Sequence, residues 1–217
     1  MIMSNVDLYC ERLGAGLLAE PVNLATNVAF LIAGYVLWRQ AGRAGVLTTD
    51  NVLLISLVMG IGVGSGLFHS FATSWARVLD VIPILLFQLA FAWLYARHGL
   101  GWSQVGACVL AAAILATALM GRGFAHILNG SLPYAPALLV LAISGLHRCL
   151  SRHPVRWLLL VATCVFLVAL GFRTIDQAVC PQLRLGTHFL WHVCNAFVLY
   201  LCTRTLIDIR KPVTLIK

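Results

Sequence analysis

An all-α integral membrane bundle of seven transmembrane helices is the fold class that the sequence predicts, and three observations predict it. Of the 217 residues, 61% are hydrophobic and only 10% are charged, far below the ~25% charged residues of a soluble globular domain. Seven stretches are long and apolar enough to span a bilayer, which takes about 20 residues at ~1.5 Å of rise each over roughly 30 Å of hydrocarbon. The connectors between them are short, so the chain reads as a single seven-helix domain over residues 1–217, with 1–21 as an N-terminal segment and 207–217 as a tail.

The spans follow in order. Val22–Trp38 is the first and carries an Asn23/Asn27 stripe; the second, Val52–Phe71, ends GIGVGSGLFHS; the third, Val78–Tyr95, begins in ARVLDVIPI. Trp102–Met120, Leu132–Leu146 and Trp157–Phe172 are more uniformly apolar, and Gly186–Leu206 begins GTHFLWHVCNA. The glycines at 60, 62, 64 and 66 have no preceding strand to make them a phosphate loop. They read as close-packing positions, Gly60 with Gly64 and Gly62 with Gly66. The opening MIMSNVDLYCERLGAGLLAEP lacks a basic start, an apolar run and a cleavage site, and is expected to stay in the mature chain.

Charge orients the bundle. Seven spans put Arg12, Arg77, Arg122, Arg173 and Arg184 on the N-terminal side with all five of Asp7, Glu11, Glu20, Asp80 and Asp176. The other ten basic residues share their side with Asp50 and Asp208 only, so the whole net charge of +8 lies there. The positive-inside rule makes that side cytoplasmic, with the C-terminus in it and the N-terminus outside. The basic balance is then a topology signal and an attraction to anionic lipid, not a nucleic-acid footprint.

The seven cysteines show no zinc-finger or CxxC spacing. Cys108, Cys164, Cys194 and Cys202 are expected as small buried apolar residues. Cys10 and Cys180 fall in extracytoplasmic connectors, where a disulfide persists, and are expected to pair.

Ionisable groups inside spans are costly and mark function. Even-numbered spans end, and odd-numbered spans begin, on the N-terminal side, so Ser65, His69, Asp80, His188 and His192 are drawn to one membrane face. His188 and His192 are one helical turn apart, the spacing at which two imidazoles hold one metal, and Ser65 has the same relation to His69. Taken singly, each histidine is more often a hydrogen-bonded packing residue; three at one depth point to a metal. Zinc suits three neutral imidazoles, and three protein ligands plus a water is the composition of a catalytic site. Such a water has a pKa of ~7, so the implied chemistry is hydrolysis. Asp80 has the alternative of pairing with Arg77, and Ser65 that of back-bonding to the carbonyl four residues earlier. His98, His147 and His153 fall at the other end and His126 in a loop.

Ser-x-x-x-His at the end of the second span, an Asp eleven residues later and HxxxH opening the seventh resemble the alkaline ceramidases. That family belongs to a superfamily of seven-span hydrolases that also holds adiponectin-receptor-like proteins. The segments Tyr9–Glu11 and Glu20–Asn27, and Asp176 with Cys180, add to the likeness, which covers most of the chain. It implies a membrane-embedded amidase that cleaves the N-acyl bond of a sphingoid or related lipid, with zinc on His69, His188 and His192. Asp80 would move protons at the zinc water and the leaving amine, and Ser65 would donate to the oxyanion. Cys10 and Cys180 match positions that resemble a disulfide pair. The family's N-terminal calcium cluster matches at Glu11 and Glu20, with Asp7 as a third oxygen donor, although Leu8 and Leu13 stand where the pattern has Asp and Asn. A solvated acidic arm is the alternative to calcium there. Two other functions compete with hydrolysis: a receptor-like sensor whose zinc is structural, and a transporter. Transport asks for polar groups through the depth of the bilayer, and apart from Asn23 and Asn27 they gather on one side.

Overall fold

The computed structural model describes residues 6–12, 14, 16–124, 126–151 and 155–210. Leu13, Arg152, His153, Lys211 and Lys217, on which expectations above also fall, lie outside the described residues.

Among the described residues, seven helical segments are long and apolar enough to cross a membrane, in the order the sequence predicts. The first is two helices, α1 (Pro21–Thr26) and α2 (Val28–Arg43), joined at Asn27. Side chains compete with the backbone at that joint: the Thr26 hydroxyl bonds the carbonyl of Val22 at 2.8 Å, and Asn27 Nδ2 donates to that of Asn23 at 2.8 Å. Next come α3 (Thr49–Phe71), α4 (Ser74–His98) and α5 (Gln104–Arg122). Two 3₁₀ turns, Ile127–Gly130 and Leu132–Tyr134, lead into α6 (Ala135–Cys149), followed by α7 (Leu158–Val179) and α8 (His188–Ile209). The sixth span runs to Val179 rather than Phe172. Its extra turns carry Arg173 and Asp176, which an apolar count excludes but which find partners inside the protein.

Two helices form the axis. In α8 67% of the spanning window is buried and in α3 56%, against 28% or less in the other five spans. A helix shielded on all sides can carry polar groups that lipid would reject. These two are the helices that hold His69, His188 and His192. The outer helices turn apolar side chains such as Ile32, Leu86, Val105 and Leu139 outward. Cys108 and Cys164 lie on that outer surface and Cys194 is half-buried, so of the four cysteines expected in the core only Cys202 is there. The reason is that α5 and α7 bury only a narrow face.

Two of the four glycines are packing positions, on opposite sides of α3. A Cβ on Gly62 would meet Phe30 Cβ at 2.9 Å and the carbonyl of Asn27 at 3.1 Å, whereas one on Gly64 would overlap the Leu79 carbonyl in α4. Gly60 faces open space, and Gly66 makes only an ordinary contact with Leu24. Pro83, inside α4, has no N–H to bond the carbonyl four residues back, which is that of Leu79. The freed carbonyl turns to the bare Cα of Gly64, bringing α3 and α4 together beside Ser65 and Asp80.

Candidate metal centre

The last turn of α3 supplies His69, and the first two turns of α8 supply His188 and His192. All three are buried, at 1%, 3% and 2% exposure. Each offers a ring nitrogen within 4.8 Å of the others, the one such cluster of His, Cys, Asp or Glu among the described residues. The ring centroids are 4.7 to 5.4 Å apart.

Side chains from the N-terminal region set the tautomers. His69 Nδ1 lies 2.5 Å from Glu20 Oε2. An ionised carboxylate only accepts, so Nδ1 carries a proton, and in the neutral ring Nε2 is then the nitrogen that keeps its lone pair. Burial raises the pKa of the Glu20 carboxyl, but the bonds from His69 and Arg12 outweigh it and hold the group below its ordinary range. Thr26 Oγ1 is 3.0 Å from His192 Nδ1, and its hydroxyl proton is directed to helix carbonyls, so the oxygen accepts from Nδ1. His192 Nε2 is then also a free lone pair. The two Nε2 atoms face each other at 3.1 Å, and with both lone pairs free a shared cation is what relieves their repulsion. Two nitrogens ~2.0–2.1 Å from one tetrahedral zinc are about 3.3 Å apart. The third ring, His188, has a buried Nδ1 without a protein partner and stacks on Tyr9 at 3.6 Å between centroids. Three buried neutral imidazoles with free nitrogens fit zinc.

The start of α8 is held by Asp176. Its carboxylate accepts the N–H groups of Thr187 at 2.7 Å, His188 at 2.9 Å and Cys10 at 3.1 Å, an arrangement favoured at a helix N-terminus. Gly186 supplies the turn at φ +66°, where a Cβ would strike Asp176 and Cys10. Cys10 and Cys180 are disulfide-bonded, with sulfurs 2.08 Å apart. The arm is thereby stitched over the histidines, and Tyr9 packs against Phe68 and His69 from above. Burial pushes the Tyr9 phenol well above its usual pKa.

Ser65 is buried one turn before His69. Its hydroxyl interacts with the carboxylate of Asp80, which is half-buried and within electrostatic reach of His69, Arg173 and Arg77. Arg77 and Asp80 form no ion pair within 4 Å. Asp7, Glu11 and Glu20, the calcium candidates, are not brought together. Asp7 is exposed, Glu11 spends both oxygens on the N–H groups of Val22 and Asn23 at 2.7 and 2.8 Å, and Glu20 holds His69 and Arg12. Arg12 stands where a cation would otherwise neutralise Glu20, and its Nη2 also donates to the His69 carbonyl at 2.8 Å.

Sequence reasoning missed Thr26, the roles of Tyr9 and Arg12, and the part Glu20 plays toward His69. The signal available was the buried polar spacing Asn23, Thr26, Asn27, which marks one face of a helix turned inward.

No curated protein matches the chain. A family model described as ceramidase matches residues 3–211, which include every residue of the centre. The chain belongs to the ceramidase family.

Proposed function

We propose that this protein is a zinc-dependent intramembrane amidase that hydrolyses the N-acyl bond of ceramide or a related N-acyl lipid. The observation that carries this reading is the buried cluster of His69, His188 and His192 in a chain of the ceramidase family. Zinc, when bound there, supplies a Lewis acid and a nucleophile at neutral pH. Glu20 and Thr26 keep His69 and His192 in the ligating tautomer. Ser65 donates a hydrogen bond to the developing oxyanion of the amide. Asp80 accepts the proton of the attacking water and returns it to the leaving amine, which is otherwise a poor leaving group. Two turns below His69 and one below His192, Ile61 and Asn195 line an apolar pocket with Phe87, Phe91 and Phe166, of a character suited to an acyl chain. The charge distribution supports an extracytoplasmic site and N-terminus and a cytoplasmic C-terminus.

A sensor with structural zinc asks for a fourth protein ligand. The metal-capable cluster among the described residues has three members and does not include Asp80, which favours the enzyme. The test is release of fatty acid from ceramide by the purified protein in lipid. Release is expected to stop on chelation, to return with zinc, and to be absent in His188→Ala. A folded, zinc-loaded protein inert toward every amide lipid contradicts the proposal.

A further inference from the structure

At the histidine end of the bundle, most acidic groups are already engaged. Glu11 caps α1, Glu20 holds Arg12 and His69, and Asp176 accepts three N–H groups. Arg77, in the first turn of α4, and Arg122, at the end of α5, are among the arginines at that end that are exposed and have no side-chain hydrogen bond or ion pair among the described residues. Both line a cleft of about 620 Å³ whose third guanidinium is Arg173. Away from the arginines the wall is apolar, with Val81, Ile82, Leu85 and Leu119. The cleft follows the helix that carries Asp80, and it adjoins the apolar pocket below the histidines, sharing Ile84, Gln88 and Tyr134 with it. Two of its arginines, Arg77 and Arg173, are within electrostatic reach of Asp80. The Arg173 guanidinium lies 5.4 Å from the ring of Tyr134 and 5.8 Å from that of Trp191, a residue of α8.

We infer that this cleft seats the headgroup of the substrate and that the headgroup it selects is anionic, an N-acyl lipid bearing a phosphate or carboxylate. The inference rests on the amide-lipid reading above. Three arginines line the cleft against one carboxylate within reach, that of Asp80, so positive charge is in excess there, and an oxyanion offsets that excess while taking charge-assisted hydrogen bonds. An uncharged hydroxyl headgroup leaves that excess in place. The apolar wall takes the chain of the same molecule, which distinguishes this site from one for a free anion.

Two measurements test this on the zinc-loaded full chain in neutral detergent. The first compares hydrolysis of ceramide and ceramide 1-phosphate of equal chain length. The phosphate is expected to be favoured at least about tenfold in kcat/KM, through KM, with the preference collapsing in Arg77→Gln/Arg122→Gln. It should also collapse in the parent protein at salt concentrations that shrink the Debye length from ~10 Å to ~3 Å, a control that needs no variant to fold. The second is equilibrium binding of dodecyl phosphate, which has no amide and is read without turnover, expected about tenfold weaker in the double variant. If neither amide is cleaved but this binding difference holds, the amidase reading fails and the cleft stands. Equal kcat/KM for the two ceramides, or dodecyl phosphate binding unchanged by the double substitution or by salt, overturns the inference. So does displacement of dodecyl phosphate by phosphatidylglycerol as effective as that by ceramide 1-phosphate, which marks the arginines as contacts for bulk lipid.

Discussion

Two side chains outside the histidine cluster decide which nitrogens face an ion, and the chemistry at the centre depends on them as much as on the ligands. Glu20→Gln keeps the shape at His69 but loses the ionised acceptor of its Nδ1 proton. It is expected to weaken zinc affinity by about 10- to 100-fold, measured by competition with a chelator; unchanged affinity contradicts the tautomer assignment. Ser65→Ala is expected to lower kcat by about 10²–10³ with zinc content unchanged, whereas a purely packing serine leaves turnover near the parent level. The three histidines were legible in the sequence because helix count and direction alone bring the ends of α3 and α8 to one face. Glu20 was visible only as an acidic residue: that it reaches His69 rather than a calcium ion depends on Arg12 folding back onto it. No local pattern encodes such a return.

At the scale of elements, the pairing of a bare Cα on α3 with a freed carbonyl on α4 sets the distance between Ser65 and Asp80. Gly64→Ala places a methyl against the Leu79 backbone, which no rotamer change relieves. It is expected to cost ~1–3 kcal/mol, read as a lower thermal midpoint, and to reduce turnover more than zinc occupancy because His69 lies a turn further on. Gly60→Ala, with open space around it, serves as the matched control and should change neither. All seven spans were legible from hydropathy and length. The break at Asn27 was not, because it comes from side chains that bond carbonyls one turn back, which hydropathy does not read; nor were the two further turns of α7, which are stabilised by buried partners distant in sequence, such as Asp176 with Cys10, and whose polar residues an apolar count reads as the end of a span.

Across the whole molecule, the N-terminal arm is part of the centre rather than an appendage. The Cys10–Cys180 bond joins positions 170 residues apart, holding Tyr9 over His188 and Glu11 under α1. Chain entropy for a loop of that length gives a ceiling of about 5 kcal/mol, and the spans, which stay in the bilayer, bring the actual figure below it. Cys10→Ser, or reduction of the parent, is expected to lower the thermal midpoint and shift gel mobility; a protein indifferent to reductant contradicts that role. The axial placement of α3 and α8 ties fold to function, since only helices screened from lipid can carry three imidazoles. The most direct test of that centre is the zinc content of the purified protein. One zinc per chain is expected in the parent, and loss of it in each of His69→Ala, His188→Ala and His192→Ala. A folded parent that takes up no zinc when supplied with it, or three variants that all retain it, contradicts the shared site.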